Sequence, residues 1–182
     1  SMSGQSDAFA VLLDIAQRSA RTARGLPAQV DIKPHWSGIG FSLGGHRLVA
    51  PMGEVAEILV QPSSTRLPGV KSWVKGVSNV RGRLLPLIDL ESFFGGSLAG
   101  GRKHHRVLAL ELGDLFSGLI VNEVYGMQHF PVDCFTDEIP EALQPLGPYL
   151  AGAYYHNDEV WTVFSPFRLA QSNEFFNAAA AG

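Results

Sequence analysis

The chain has 182 residues, of which 46% are hydrophobic and 17% charged, and its formal net charge is −3. This is the composition of a globular protein with a core, and the basic footprint of a nucleic-acid-binding protein is absent. No apolar run approaches the ~20 residues that cross a bilayer, and the first residues do not form a secretory signal. The single cysteine, Cys134, excludes an intrachain disulfide and fits a reducing compartment.

The first predicted element is an amphipathic helix from Asp7 to Arg24. Arginines near its C-terminal end complement the helix dipole, and Gly25 and Pro27 end it. Its apolar residues fall on one face at helical spacing: Phe9, Leu12, Leu13, Ala16 and Ala20. The helix either packs on the body of its own protein or docks into a groove of a partner, and the sequence leaves both open.

After a proline-containing connector, the periodicity changes to that of short strands. Two-residue turns divide the predicted hairpins: Gly44-Gly45, Arg81-Gly82, Gly113-Asp114 and Asn157-Asp158. Residues 124–130 are predicted to extend the strand over 115–121. Residues 131–148, rich in proline, are predicted to be a loop or a short helical insertion, and residues 167–176 a terminal helix. Tyr154, Tyr155 and Trp161 are assigned mostly to the core.

A weak internal repeat organises these strands. When Gly76 is aligned with Gly152, Leu87 meets Val163 and Phe93 meets Leu169. Each half then holds a hairpin, an extra strand, a proline-bearing loop, a second hairpin and a short helix. Four or five strands per half predict two small β-barrels. Because such small sheets do not bury both faces alone, we expect a shared apolar layer between the halves. Chance similarity between two β-rich halves is the alternative.

The hairpin from Gly76 to Phe94 holds the most informative turn. Its apolar runs have the length of strands, and they meet at Arg81-Gly82, where the glycine supplies a positive φ. The hairpin therefore holds Arg81 out of the core. Such an arginine is either a solvated turn residue or the donor of a planar, multidentate contact.

The titratable residues form no catalytic constellation in the sequence. His104 and His105 are adjacent, so on a strand they point to opposite faces and do not share one metal. Cys134 has no histidine nearby in sequence and is expected to be a small, partly buried residue. Asp89 ends an apolar run and is expected to cap the following turn. We therefore expect no enzyme activity, no metal and no cofactor, and a module that docks proteins.

Four segments, in order, resemble the CheW-like adaptor family. The segment KGVSNVRGRLLPLIDL, from Lys75 to Leu90, pairs an Asn-x-Arg-Gly turn with a Pro-x-Ile-Asp-Leu strand, as the family signature does. The others are FSLGGHRLVAPMGEVAEIL, SGLIVNEVYGM and YLAGAYYHNDEVWTVFSPFRL. Asn122 stands where the family usually has Asp. The resemblance runs from Ile39 to about Ala170.

The resemblance implies a mainly β fold of two five-stranded SH3-like β-barrels on a shared hydrophobic core. It divides the chain into an N-terminal helix and connector (1–37), the two-barrel domain (38–170) and a C-terminal helix end and tail (171–182). It also implies a non-enzymatic scaffold that joins a chemoreceptor tip to the regulatory domain of a CheA-type histidine kinase. Such a protein is cytoplasmic and is recruited to membrane receptor arrays without inserting into the membrane. The segments LLDI, GLP and LPGVKSWVKGV are similar to family members that control type IV pili and twitching motility.

Matched by motif, the partner-binding positions of the family fall on five residues of this chain: Val55, Glu57, Gly76, Arg81 and Gly82. A second class of function stays open at this point. A small apolar molecule would be held in the cleft between the two barrels.

Overall fold

The computed structural model describes residues 33–96 and 104–180. The predicted helix from Asp7 to Arg24 lies outside the described residues. The chain divides into two compact units after Pro34, and the architecture below is that of the unit that begins at His35.

The described residues form eleven strands and three short α-helices. The strands are β1 (His35–Leu43), β2 (His46–Pro51), β3 (Glu57–Val60), β4 (Val74–Val80), β5 (Arg83–Asp89), β6 (Arg106–Leu112), β7 (Leu115–Val121), β8 (Glu123–Pro131), β9 (Phe135–Thr136), β10 (Leu150–His156) and β11 (Glu159–Phe164). The helices are α1 (Leu90–Phe93), α2 (Pro166–Ala170) and α3 (Asn173–Ala180). Short 3₁₀ segments lie at Met52–Glu54, Val132–Cys134 and Glu141–Tyr149.

The strands form two sheets that each curl into a small barrel. One sheet has the order β8-β1-β2-β11-β10-β9, and the other has the order β3-β6-β7-β5-β4. In the first sheet the end strands β8 and β9 are joined only by the 3₁₀ segment Val132–Cys134, so one bent stretch of chain closes the ring. In the second, Thr65 closes the ring, because its backbone exchanges two hydrogen bonds of 2.9 Å with Val77 of β4.

Each barrel has its own interior, and the two interiors differ in chemistry. The six-stranded sheet encloses mostly aromatic side chains and is called the aromatic barrel: Val49, Phe130, Tyr154, Trp161 and Val163. The five-stranded sheet encloses aliphatic side chains and is called the aliphatic barrel: Leu85, Leu87, Val107 and Ile120. Side chains alternate along each strand, so the residues between these point away from the barrel interiors.

Those alternate residues build the shared apolar layer that the sequence predicts. Phe41 and Leu48 come from the aromatic barrel, and Leu108 and Leu119 from the aliphatic barrel; all four are fully buried in one cluster. The C-terminal helix α3 adds Phe175 to the same cluster. Neither sheet covers its outer face alone, and packing them together buries both faces at once.

The internal repeat is visible in three dimensions, but its halves exchange a hairpin. Gly76 and Gly152 both have positive φ, 150° and 121°, and a β-carbon on either would lie 2.5 Å from the carbonyl oxygen of a threonine, Thr65 or Thr136. The β1–β2 hairpin, however, belongs to the sheet of β8–β11, and β6–β7 belongs to the sheet of β3–β5. Each barrel therefore takes strands from both halves. The exchange places β2 parallel to β11 and β5 parallel to β7, which needs long crossover connections.

Several local predictions are corrected. The strand β8 is not an extension of β7: the chain leaves one sheet at Asn122, and β8 pairs with β1 in the other. Tyr154 and Trp161 are buried as predicted, whereas Tyr155 is 51% exposed. The predicted terminal helix is two short helices. The proline-rich stretch contains a nine-residue 3₁₀ segment, which agrees with the predicted short helical insertion.

Candidate partner-binding site

The turn between β4 and β5 presents Arg81 to solvent in a fixed conformation. Arg81 and Gly82 have φ values of 51° and 82°, so both central residues of the turn are left-handed. That combination matches the right-handed twist of a hairpin. The side-chain oxygen of Asn79 accepts a hydrogen bond of 2.8 Å from the Gly82 N–H, which fixes the turn. The sequence predicted a positive φ at the glycine, and the structure places Arg81 there as well.

Arg81 makes the forked contact expected of a guanidinium, but its partner lies in the same chain. Its Nη1 donates to Oε1 of Glu57 at 2.9 Å, and its Nη2 donates to Oε2 of the same carboxylate. The side chain of Arg81 is 67% exposed and that of Glu57 33%. The hydrogen bonds, aided by the opposite charge, lower the pKa of Glu57 and raise the pKa of Arg81.

This ion pair spans the seam of the aliphatic barrel. Glu57 opens β3 and Arg81 follows β4, and these are the two end strands of the sheet. The pair therefore depends on the curl of the whole sheet and not on local sequence. Together with the Thr65–Val77 bridge, it joins the two edges.

Large apolar side chains lie exposed beside the pair. Ile58 and Val60 on β3 are 40% and 65% exposed. Leu84 on β5, which pairs with Asn79 on β4, is 59% exposed. Between Ile58 and Val60, Leu59 packs toward the barrel interior. Apolar side chains around a central charged residue are typical of surfaces that bind proteins. The sequence did not single out these three residues, although the alternation along β3 was a usable signal.

The structure brings three of the five predicted partner-binding residues together: Glu57, Arg81 and Gly82. Val55 precedes β3, where it is partly buried and packs against the shared layer. Gly76 lies near the other end of β4, and its α-carbon faces the backbone of Thr65. Both therefore have an evident structural task, and their contact with a partner stays a prediction.

Two other titratable residues that the sequence singled out, Asp89 and Cys134, have partners within the chain. Asp89 caps α1 as predicted: its carboxylate oxygens accept hydrogen bonds from the backbone N–H and hydroxyl of Ser92 at 3.1 and 2.8 Å. Cys134 is half-buried, and its Sγ lies 3.9 Å from Nδ1 of His156, a neighbour that the sequence did not reveal. Among the described residues, no group of three or more His, Cys, Asp or Glu could hold a metal ion.

Two small barrels on a shared apolar layer, with an exposed ion-paired turn beside apolar edge residues, define a two-barrel docking scaffold. The chain belongs to the family of the CheW-like domain, whose model matches residues 37–174. This confirms the resemblance carried by the turn and strand motifs.

Known proteins resemble the chain over most of its length. It is 53% identical to Protein PilI of Pseudomonas aeruginosa (strain PAO1), over 98% of this chain and 99% of that protein. It is 32% identical to Protein FrzA of Myxococcus xanthus over 68% of this chain and 72% of that one. The crystal structure of the scaffolding protein TtCheW from Thermoanaerobacter tengcongensis shares the fold, with a TM-score of 0.66 and 23% identity over 77% of this chain and 95% of that chain.

Proposed function

We propose that this protein is a non-enzymatic adaptor that couples a chemoreceptor to a CheA-type histidine kinase and thereby controls type IV pili and twitching motility. The similarity to PilI, at 53% identity over nearly the whole of both chains, carries the proposal. The CheW-like domain and the likeness to FrzA support it. The adaptor acts in the cytoplasm and is recruited to receptor arrays at the membrane. None of the helices in the described part of the chain is long and apolar enough to cross a membrane.

The kinase regulatory domain docks on a surface that we call the turn surface, formed by Ile58, Val60, Arg81 and Leu84. Glu57, which alternates with Ile58 along β3, holds Arg81 from the other side of that strand. Its apolar side chains supply the contact area, and the ion pair holds Arg81 in one orientation before the partner arrives. A guanidinium has five N–H donors, and Glu57 engages two nitrogens, so further donors remain for the partner. A preformed, exposed arginine surrounded by apolar residues is the usual form of a binding hot spot.

The test is calorimetry with two purified fragments, the kinase regulatory domain and the receptor tip. Arg81→Ala should keep its melting temperature and lose roughly thirtyfold in affinity for the kinase regulatory domain, the loss expected of an interface anchor. Arg81→Lys should restore binding only in part, because an ammonium lacks the planar fork.

Arg83→Ala is the matched control. Arg83 pairs with Glu111 in the same barrel, but it alternates with Leu84 and so lies on the opposite face of β5. This variant should keep its affinity for both fragments. Unchanged affinity of Arg81→Ala for both would return Arg81 to the role of a solvated turn residue, and no binding by the wild type would refute the adaptor function.

The alternative of a small apolar ligand between the barrels gains no support. That layer is packed with buried side chains such as Phe41, Leu108 and Phe164.

A further inference from the structure

The internal repeat gives the aromatic barrel a hairpin turn equivalent to the one that carries Arg81. Its central residues, Asn157 and Asp158, have φ values of 51° and 61°, so both are left-handed, as are Arg81 and Gly82. The two turns join equivalent strands, β10 to β11 in the aromatic barrel and β4 to β5 in the aliphatic barrel. The aromatic barrel therefore has the amide of Asn157 where the aliphatic barrel has a guanidinium.

Strand pairing extends the equivalence to an exposed apolar residue beside each turn. Ile58 of β3 pairs with Leu108, on the first strand of the β6–β7 hairpin. Met127 of β8 pairs with Ile39, on the first strand of the β1–β2 hairpin. Because Leu108 and Ile39 both belong to the shared layer, Ile58 and Met127 lie on the outer faces of their barrels. Met127 is 51% exposed.

A second large side chain is exposed near Met127. Tyr155 is also 51% exposed, and it points outward because the preceding Tyr154 lies in the barrel interior. The strands β8 and β10 meet across the seam of this barrel, where the rings of Phe130 and Tyr154 stack with their centres 5.0 Å apart. Met127, Tyr155 and Asp158 together form a surface that we call the acidic surface.

The two barrels carry opposite charges around these surfaces. From β8 to β11, residues 123–164, the sequence contains seven Asp and Glu and no Lys or Arg. From β3 to β5, residues 57–89, it contains five Lys and Arg and two Asp and Glu. Glu159 has a cation from β2, Arg47, at 3.8 Å. Asp158 makes no hydrogen bond or ion pair with any described residue, so its carboxylate is available to a partner.

We propose that the acidic surface of one copy of this chain docks on the turn surface of a second copy. Asp158 accepts hydrogen bonds from the N–H donors of Arg81 that Glu57 leaves free, and the apolar side chains of the two surfaces cover each other. The occupant is a second copy because the same chain supplies what the acidic surface lacks, a cation on the equivalent turn with exposed apolar residues beside it. The contact joins two different surfaces, so it is head-to-tail.

Self-association of this kind regulates the turn surface. A second copy seated there covers Arg81 and excludes the kinase regulatory domain, so the two compete for one arginine. The competition rests on the proposed function, whereas the self-association does not.

Sedimentation equilibrium of the full chain tests the self-association. The mass of the wild type should rise with concentration, and high salt should reduce the rise because the charges are exposed. Arg81→Ala and Asp158→Asn should each associate at least about tenfold more weakly. Asn suits the left-handed position of Asp158 and removes only the charge. Asp114→Asn, an exposed turn residue of the other barrel, is the matched control and should associate as the wild type does.

Mixing the two weakened variants tests the head-to-tail geometry. Arg81→Ala keeps the acidic surface and Asp158→Asn keeps the turn surface, so an equimolar mixture should form dimers with the wild-type affinity and nothing larger. A wild type that is monomeric at about 1 mM, or a mixture that associates no better than either variant alone, would overturn the proposal.

Calorimetry with the kinase regulatory domain tests the competition. At concentrations where the wild type self-associates, Asp158→Asn should bind the domain more tightly than the wild type, and after dilution the two should bind equally. Equal affinity at every concentration would overturn the competition. A wild type that self-associates without binding the domain would refute the proposed function alone, and one that binds the domain but stays monomeric would refute only this inference.

Discussion

Arg81 and Glu57 form a forked ion pair although 24 residues and the full width of a five-stranded sheet separate them. Their strands are the two ends of the sheet order, so the contact exists only when the barrel is closed. The turn that carries the predicted partner-binding arginine is thus anchored to the opposite edge of its own barrel.

The contribution of this pair to stability should depend on pH in the acid range. Because the pKa of Glu57 is lower in the folded state than in the unfolded chain, the stabilisation is present above the unfolded pKa. It is lost as the pH falls through the lowered, folded pKa. The effect should be small, since both side chains reach solvent and salt screens them. Melting temperatures of the wild type and Glu57→Gln should converge below pH 4, and a constant difference down to pH 2 would contradict this.

The repeated glycines Gly76 and Gly152 should each be intolerant of a side chain. Alanine at either position would adopt an unfavourable φ and would also place its β-carbon 2.5 Å from a backbone carbonyl oxygen, which cannot rotate away. We expect each substitution to cost about 2–4 kcal/mol in urea unfolding. Gly45→Ala is the control, because Gly45 has a φ of 80° with open space around it and should show the strain alone. Equal costs at Gly45 and Gly76 would show that the close approach is unimportant.

The side chain at position 122 should affect stability through Glu91, a residue of α1 that forms a hydrogen bond with Asn122. Burial chiefly, and Asp89 in addition, raise the pKa of Glu91, whereas a hydrogen bond with Asn122 and the proximity of His105 oppose the rise. Asn122→Asp, the residue usual in the family, would exchange that hydrogen bond for a second negative charge. It should therefore destabilise the fold at pH 8.

The deficit of Asn122→Asp should shrink at low pH. A carboxyl group whose folded pKa is raised favours folding below its unfolded pKa and loses that contribution as the pH rises through the folded value. Urea unfolding at pH 4 and pH 8 measures the difference. Glu91→Gln in the same chain should remove most of the deficit at pH 8, and a deficit that grows toward pH 4 would contradict the coupling.

Gly118 and Val107 should behave as a packing pair. A β-carbon on Gly118 would lie 2.5 Å from Cγ1 of Val107. The aromatic barrel has a similar pair in its β1–β2 hairpin, but there the glycine is on the first strand and the valine on the second. A β-carbon on Gly38 would lie 2.7 Å from Cγ2 of Val49. Gly118→Ala should cost about 1–3 kcal/mol by overpacking. Adding Val107→Ala should relieve the clash, so the double variant should be less destabilised than the two costs combined.

The control for this pair compares free energies of unfolding with those of a glycine that has open space around it. Gly147→Ala has nothing within 4 Å of its new β-carbon and should change the free energy of unfolding little. Strict additivity of Gly118→Ala and Val107→Ala would show that the two residues do not share one volume.

The sequence by itself determined the local elements. Alternating apolar residues and two-residue turns located the hairpins, because strand period and turn chemistry are read within a few residues. The cap at Asp89 and the family motifs around Arg81-Gly82 were predicted correctly for the same reason, since each involves only a few consecutive residues. The one-residue break at Asn122, between β7 and β8, was not predicted. Both strands carry the same alternation, and only their different sheet partners separate them.

Tertiary structure alone decided which hairpins share a barrel and what the site residues touch. Both halves present the same pattern of strands, so pairing within a half and exchange between halves look identical in sequence. The buried layer distinguishes them only once both sheets have closed. Arg81 meets Glu57, and Arg83 meets Glu111, through contacts between strands that are not neighbours in the sheet. Such contacts are set by the curl and register of whole strands, which no short window of residues encodes.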